Sequence, residues 1–229
     1  MILPDYNLLF AGMQIRKKHT FEEIIIFATM NIKELSKALR KKTVGIAGCG
    51  GLGSNCAIAL ARTGLGKLVI ADFDIVQLSN LNRQYYFHEQ IGQKKVFALS
   101  DNIYFANPKV KVEPHDVKLI PSEIESLFAD CDVVVEAFDD ATAKKMITET
   151  MMERLPEIPL ILGNGMAGFG PSNIIKTEKI DKNLYVCGDG FGEISDDNPP
   201  LAPRVAIVAN MQANLALQLL LGNCKNDEL

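Results

Sequence analysis

The run from Thr43 to Gln84 limits what this chain can become more than any other stretch. It opens KKTVGIAGCGGLGS, an apolar segment leading into glycines at Gly48, Gly50, Gly51 and Gly53. It closes LVIADFDIVQLSNLNRQ, where Asp72, Asp74, Asn80 and Arg83 crowd together. The first half reads as strand, glycine turn and helix, an arrangement that offers backbone N–H groups and a helix N-terminus to an anion. GCGGLG satisfies G-x-G-x-x-G, and Asp72 lies 24 positions beyond Gly48, where a Rossmann fold meets a ribose hydroxyl. Many Rossmann proteins share that pattern, so it says nucleotide without saying which chemistry.

The rest of the chain alternates in the same style. Phe21–Arg40 reads as a helix with acidic residues in its first turn and basic ones in its last. Strands are expected at Thr43–Ala47, Lys67–Ala71, Lys111–His115, Val133–Glu136 and Pro159–Asn164. Helices are expected at Ser54–Arg62, Lys94–Ala106, Pro121–Phe128 and Ala141–Arg154. This spacing predicts an α/β fold, Rossmann-like, with a mostly parallel sheet and helices on both faces. Beyond Gly163 the texture becomes glycine-rich, with short strand-like pieces IIKTEK and LYV and a polar loop from Gly188 to Pro203. Val205–Leu221 then reads as a long apolar helix with no charged residue after Arg204, to be buried in the core or against a second subunit. The organisation expected is an N-terminal helical segment, 1–42, and one globular domain, 43–229.

With 229 residues the chain can bury a sizeable core. A net charge of −4 gives no global field for nucleic acid or an anionic membrane. The N-terminus lacks the pattern of a signal peptide, and no stretch approaches the roughly 20 apolar residues of a membrane span. Five cysteines, at 49, 56, 131, 187 and 224, form no CxxC pair and no ligand set for zinc. A reducing, cytoplasmic setting is the expectation.

The segment DFDIVQLSNLNRQYYF is too polar for a second strand–helix crossover. Asn80 and Arg83 fall three apart on an expected short helix and so share a face. Arg83 is a planar, permanently charged fork suited to phosphate oxygens, and Lys95, at the start of the next helix, supplies a second cation. Cys187 opens the late glycine-rich loop; no histidine or lysine stands near it in sequence to activate it, so packing competes with chemistry there. Tyr85, Tyr86 and Phe87 are read as packing, with a part in shaping the pocket left open. The three histidines group with no acid and nucleophile, so no hydrolytic triad is expected.

GCGGLGS, DFDIVQLSNLNRQ, GQKK and EAFDD, in that order and spacing, resemble the ThiF/MoeB/HesA family of adenylating enzymes, relatives of the ubiquitin activators. The likeness spans about Thr43 to Asn164, and NPPLAPRVAIVANMQA resembles the family's late helix. It is greatest to short ThiF-like proteins acting on the sulfur carrier of thiamine synthesis. The resemblance implies ATP-dependent adenylation of the C-terminal glycine carboxylate of a small ubiquitin-like carrier, with release of pyrophosphate. It implies that Gly48, Gly50, Gly51 and Gly53 back the nucleotide and that Asp72, with Asp74 beside it, holds the ribose. It further implies that Asn80 fixes phosphate geometry, that Arg83 and Lys95 bind phosphates through the transition state, and that Asp139 supports Mg2+. Some relatives use a cysteine near Cys187 for sulfur transfer. The chain departs from the family pattern at Asp140, where asparagine is usual, and in lacking the CxxC pairs that hold zinc in many members. The family's N-terminal arginine segment has no recognisable counterpart, Arg16 being the candidate.

A homodimer is the expected assembly. Three other readings stand beside adenylation of the thiamine carrier: a dinucleotide-dependent oxidoreductase using Asp72, a non-enzymatic nucleotide-binding module, and, within the family, adenylation of a molybdopterin carrier or of tRNA.

Overall fold

A computed structural model of the chain describes residues 31–192 and 195–222. In chain order these form α1 (Ile32–Leu39), β1 (Thr43–Ala47), α2 (Gly51–Arg62), β2 (Lys67–Asp72), α3 (Lys95–Ala106), β3 (Lys111–Asp116) and α4 (Pro121–Phe128). They continue with β4 (Val133–Glu136), α5 (Ala141–Arg154), β5 (Leu160–Asn164), β6 (Lys176–Asp181), β7 (Leu184–Gly188) and α6 (Ala202–Leu220). Short 3-10 turns lie at Leu78–Asn80, His88–Gln90 and Ser172–Ile174.

One seven-stranded sheet runs in the order β3-β2-β1-β4-β5-β7-β6. All neighbours pair in parallel except β6, which returns antiparallel on β7. The central strands TVGIA and VVVE are apolar runs because helices cover both their faces. β6 (KTEKID) is the antiparallel edge, where charged residues alternate outward and discourage further pairing. One core lies under α2, α3 and α6 and includes Leu52, Leu60, Leu99, Ile103, Val205 and Val208. The other lies under α4 and α5 and includes Ile124, Phe128, Ile147 and Met151. The expected α/β architecture with helices on both faces is therefore present. From β1 the chain moves outward to β3, then crosses back over to β4. The crevice at the carboxyl ends of β1 and β4 is thus the switch point at which such sheets bind ligands.

Three elements differ from the sequence reading. The helix expected over Phe21–Arg40 does not run unbroken, for Asn31 is in extended conformation and starts α1 as its N-cap. Its Oδ1 accepts from the Lys33 and Glu34 amides at 3.0 and 3.1 Å, while Glu34 Oε2 accepts from the Asn31 amide. This reciprocal box is worth about 1 kcal/mol and outcompetes continuation of a helix through Asn31. The segment 21–30, with Arg16 before it, lies outside the described residues. α2 begins at Gly51 rather than Ser54, with Gly50 as N-cap, so the glycines form the helix's first turn. α6 begins at Ala202, three residues early, because Pro203 suits a first helical turn. α6 buries Val205, Val208, Ala213 and Ala216 in the chain's own core, while Asn210 and Asn214 face outward.

Candidate functional site

The crevice is built from the glycine turn outward. Gly48 has φ +96°, and a Cβ there would sit 2.9 Å from the Ala137 carbonyl oxygen. A Cβ on Gly53 would come within 1.8 Å of the Gly48 carbonyl oxygen. Only glycine allows the turn, and the β4 exit against it, to close this tightly. The first-turn N–H groups of α2 have no partner within the helix, and Gly50 brings no side chain to cap them. They present a ready-made anion site at the switch point.

Side chains from three further segments converge on this turn. Asp72, at the end of β2, accepts from the Cys49 amide at 2.6 Å and from the Asp74 amide at 2.8 Å, which ties it to the glycine loop. Ser54 donates to the Gly50 carbonyl at 2.6 Å and accepts from the Tyr85 amide at 2.9 Å. Asn55 Nδ2 donates to the carbonyls of Gly51 and Arg83 at 2.7 and 3.0 Å. Those bonds hold Arg83 beside the start of α2, with its Cγ 3.7 Å from where a Gly51 Cβ would stand. The Arg83 guanidinium donates only to the Ser79 carbonyl and to Asn82 Oδ1 among the described residues, and it meets no carboxylate. Lys95 opens α3 with its ammonium 2.7 Å from Asp74 Oδ2; its side chain is 7% exposed, that of Asp74 50%. Tyr86 is buried and donates to the Cys49 carbonyl at 2.7 Å, so it braces the loop from behind.

Asp139 stands on the other wall, exposed, in the link between β4 and α5. Asp140 caps α5, accepting from the Ala143 amide at 2.7 Å. Its charge, unusual by resemblance, therefore meets a helix N-terminus. Asn80 and Arg83 do not share a helical face, because the 3-10 turn stops at Asn80. Asn80 is buried, and its Oδ1 accepts from the Gln77 amide at 3.0 Å, so it holds the turn that delivers Arg83. Cys187 is fully buried on β7, with its Sγ 3.5 Å from Thr177 Oγ1. Burial pushes its thiol up to about 11, against a weaker pull from Thr177. Cys49, inside the glycine loop, is also fully buried and pushed well above the ordinary thiol range by burial, then by the neighbouring Asp72.

Two ion pairs around the crevice were not anticipated. Glu136, at the end of β4, is fully buried and meets Lys144 Nζ through both oxygens, at 2.9 and 2.8 Å. Burial raises its carboxyl above the usual range, and Lys144 opposes that rise. Farther along, Arg204 pairs with Asp189 beneath the glycine-rich loops. Burial acts to raise the Asp189 carboxyl, but the Phe191 and Gly192 amides and Arg204 together outweigh it and hold it below its ordinary value. The signal for the first pair was a charged residue closing an apolar strand, VVVE. Nothing in sequence linked Asp189 to Arg204.

The turn, the acid after β2 and the switch-point crevice define a Rossmann-like α/β protein with an anion site at its switch point. A profile of the ThiF family matches residues 21–229, and the chain belongs to that family. It is 29% identical over 191 residues to the molybdopterin-synthase adenylyltransferase of Escherichia coli K12, covering 81% of this chain and 76% of the relative. It is 32% identical over 146 residues to ubiquitin-like modifier-activating enzyme 5 of Drosophila melanogaster, and the match spans 58% of this chain but only 36% of that enzyme. Among solved structures, E. coli tRNA N6-threonylcarbamoyladenosine dehydratase, TcdA, in complex with ATP, superimposes with a TM-score of 0.76 at 18% identity, covering 88% of this chain and 93% of the other. That likeness is one of fold.

Proposed function

We propose that this protein is an ATP-dependent adenylyltransferase that activates the C-terminal glycine carboxylate of a small ubiquitin-like sulfur carrier. The observation that carries the reading is the pairing of a helix N-terminus and a ribose-type acid with two cations. A dinucleotide site uses the first two features, whereas Arg83 and Lys95 answer to a polyphosphate. The Escherichia coli adenylyltransferase relative and the ATP complex of the structural neighbour support the nucleotide.

In this reading the glycine turn backs the triphosphate and Asp72 accepts from the ribose hydroxyls. A carrier carboxylate oxygen bonds to the α-phosphorus while the bond from that phosphorus to the bridging oxygen breaks. The products are an acyl-adenylate and pyrophosphate. No general base is needed, since the attacking carboxylate is already ionised at neutral pH. Arg83 and Lys95 neutralise charge that moves onto the pyrophosphate. Lys95 exchanges Asp74 for phosphate oxygens, and Asn80 acts by holding the turn on which Arg83 rides. Asp139 fits a supporting role for Mg2+, because it is an exposed carboxylate two residues beyond Ala137, whose carbonyl abuts Gly48. Mg2+ habitually arrives on phosphates with one or two protein carboxylates. When bound it would neutralise phosphate charge.

The carrier of thiamine synthesis is the substrate proposed, on the resemblance of NPPLAPRVAIVANMQA and of the shorter motifs to short ThiF-like proteins. A cytoplasmic homodimer is proposed with it, and a tRNA substrate is disfavoured by the net charge of −4. An oxidoreductase reading lacks an evident acid–base pair for hydride chemistry in the crevice among the described residues. Carrier-dependent pyrophosphate–ATP exchange, run with thiamine-type and molybdopterin-type carriers, tests the proposal. A second arm measures NAD binding, and tight NAD binding without ATP binding would reverse it.

A further inference from the structure

We infer that Lys144 and Glu136 are a positioning pair that aims Asp139 into the crevice, an inference that rests on reading the crevice as a site for ATP with magnesium. The Glu136 side chain turns back under its own strand end and accepts from the Phe138 amide at 2.6 Å, one residue before Asp139. Lys144, on the first turns of α5, bonds both Glu136 oxygens and also the Gly163 carbonyl at 2.7 Å. One ammonium thereby joins the carboxyl ends of β4 and β5 to α5. Gln212 of α6 adds a bond to the Glu136 carbonyl at 3.0 Å.

The segment is fastened on its other sides as well. The Ala137 amide donates to the Ala47 carbonyl at 2.8 Å, and the Ala137 carbonyl abuts Gly48. Asp140 is fixed as the α5 cap. Asp139 is thus the one acid of EAFDD left facing solvent with no hydrogen-bond partner among the described residues. Its backbone is pinned before and after, so the carboxylate is presented rather than tethered. A buried ion pair is a weak source of stability, because desolvation cancels most of its Coulombic gain. What this pair supplies is direction: a carboxylate and an ammonium accept and donate along fixed lines, which an apolar pair of equal volume would not do.

The test is ATP affinity by calorimetry, measured with magnesium and again with chelator, on the wild type and three variants. Lys144→Met leaves the Glu136 carboxyl buried without its ion-pair partner, so the double variant Glu136→Gln/Lys144→Met accompanies it as a form with no stranded acid. Both should lose about tenfold in affinity for ATP with magnesium, the scale on which residues behind a metal ligand act. Their metal-free affinity, set by the glycine turn, Asp72 and Arg83, should be unchanged. Lys144→Arg should restore most of the loss. Equal losses with and without magnesium, or none in the folded double variant, would overturn the inference. If the wild type itself binds no ATP, the reading of the crevice fails instead.

Discussion

At the residue scale, the cation that matters most is Arg83. Its backbone is held by Asn55 and its guanidinium meets no carboxylate among the described residues, so it waits for an anion without an ion pair to break. Arg83→Ala should lower pyrophosphate–ATP exchange about a hundredfold, as removal of one donor to developing charge does elsewhere, and leave the thermal midpoint near wild type. Cys187 supplies the contrast. Fully buried, with its thiol raised to about 11, it should resist alkylation in the native protein at pH 8 and react once the chain is unfolded. Rapid native labelling that abolishes sulfur transfer would restore it as a nucleophile. Arg83, Lys95 and Asp72 stand out in the sequence because a charge in a glycine-rich or polar run invites a chemical reading, and Asp139 stands out through the resemblance of EAFDD alone. Asn80 stands out too, but its bond to the Gln77 amide does not, because an asparagine that holds a turn looks like any other in a string.

At the element scale, α4 and α5 run as the sequence led one to expect, because proline and an acid cap mark their starts. The glycine turn was legible in its residues but not in its boundary, since Gly50 replaces a side-chain cap and moves the start of α2 forward. Asn31 was missed because periodicity outweighed a capping box within an apolar run. The late glycine-rich loops were the least legible. Their order depends on Asp189, whose Oδ1 accepts from the Phe191 and Gly192 amides at 2.8 and 2.9 Å and whose Oδ2 meets Arg204 from α6. A carboxyl held below its ordinary value stabilises the folded form above that value and ceases to do so as pH falls through the lowered one. Amide exchange in 188–192, corrected for intrinsic rates, should therefore accelerate below about pH 4. It should already be fast at neutral pH in Asp189→Asn. Equal protection in the variant would show that the loops need no ion pair.

At the scale of the whole molecule, the sheet order puts the switch point between β1 and β4, and everything proposed for catalysis stands at that one edge. The glycine turn leaves β1, Asp72 ends β2, Asp139 follows β4, and α6 lays Val205 against Gly51. The alternation of strands and helices forecast this architecture. The sequence could not forecast the cross-links that rigidify it, such as Gln212 of α6 on the Glu136 carbonyl, because those join residues far apart in the chain. Exchange of labelled pyrophosphate into ATP, with magnesium and a Gly-Gly-ended ubiquitin-like carrier, tests the central claim most directly. The account predicts exchange that requires the carrier and disappears when its terminal glycine carboxylate is blocked. ATP binding without carrier-dependent exchange, across thiamine-type and molybdopterin-type carriers alike, would contradict it and leave a nucleotide-binding module.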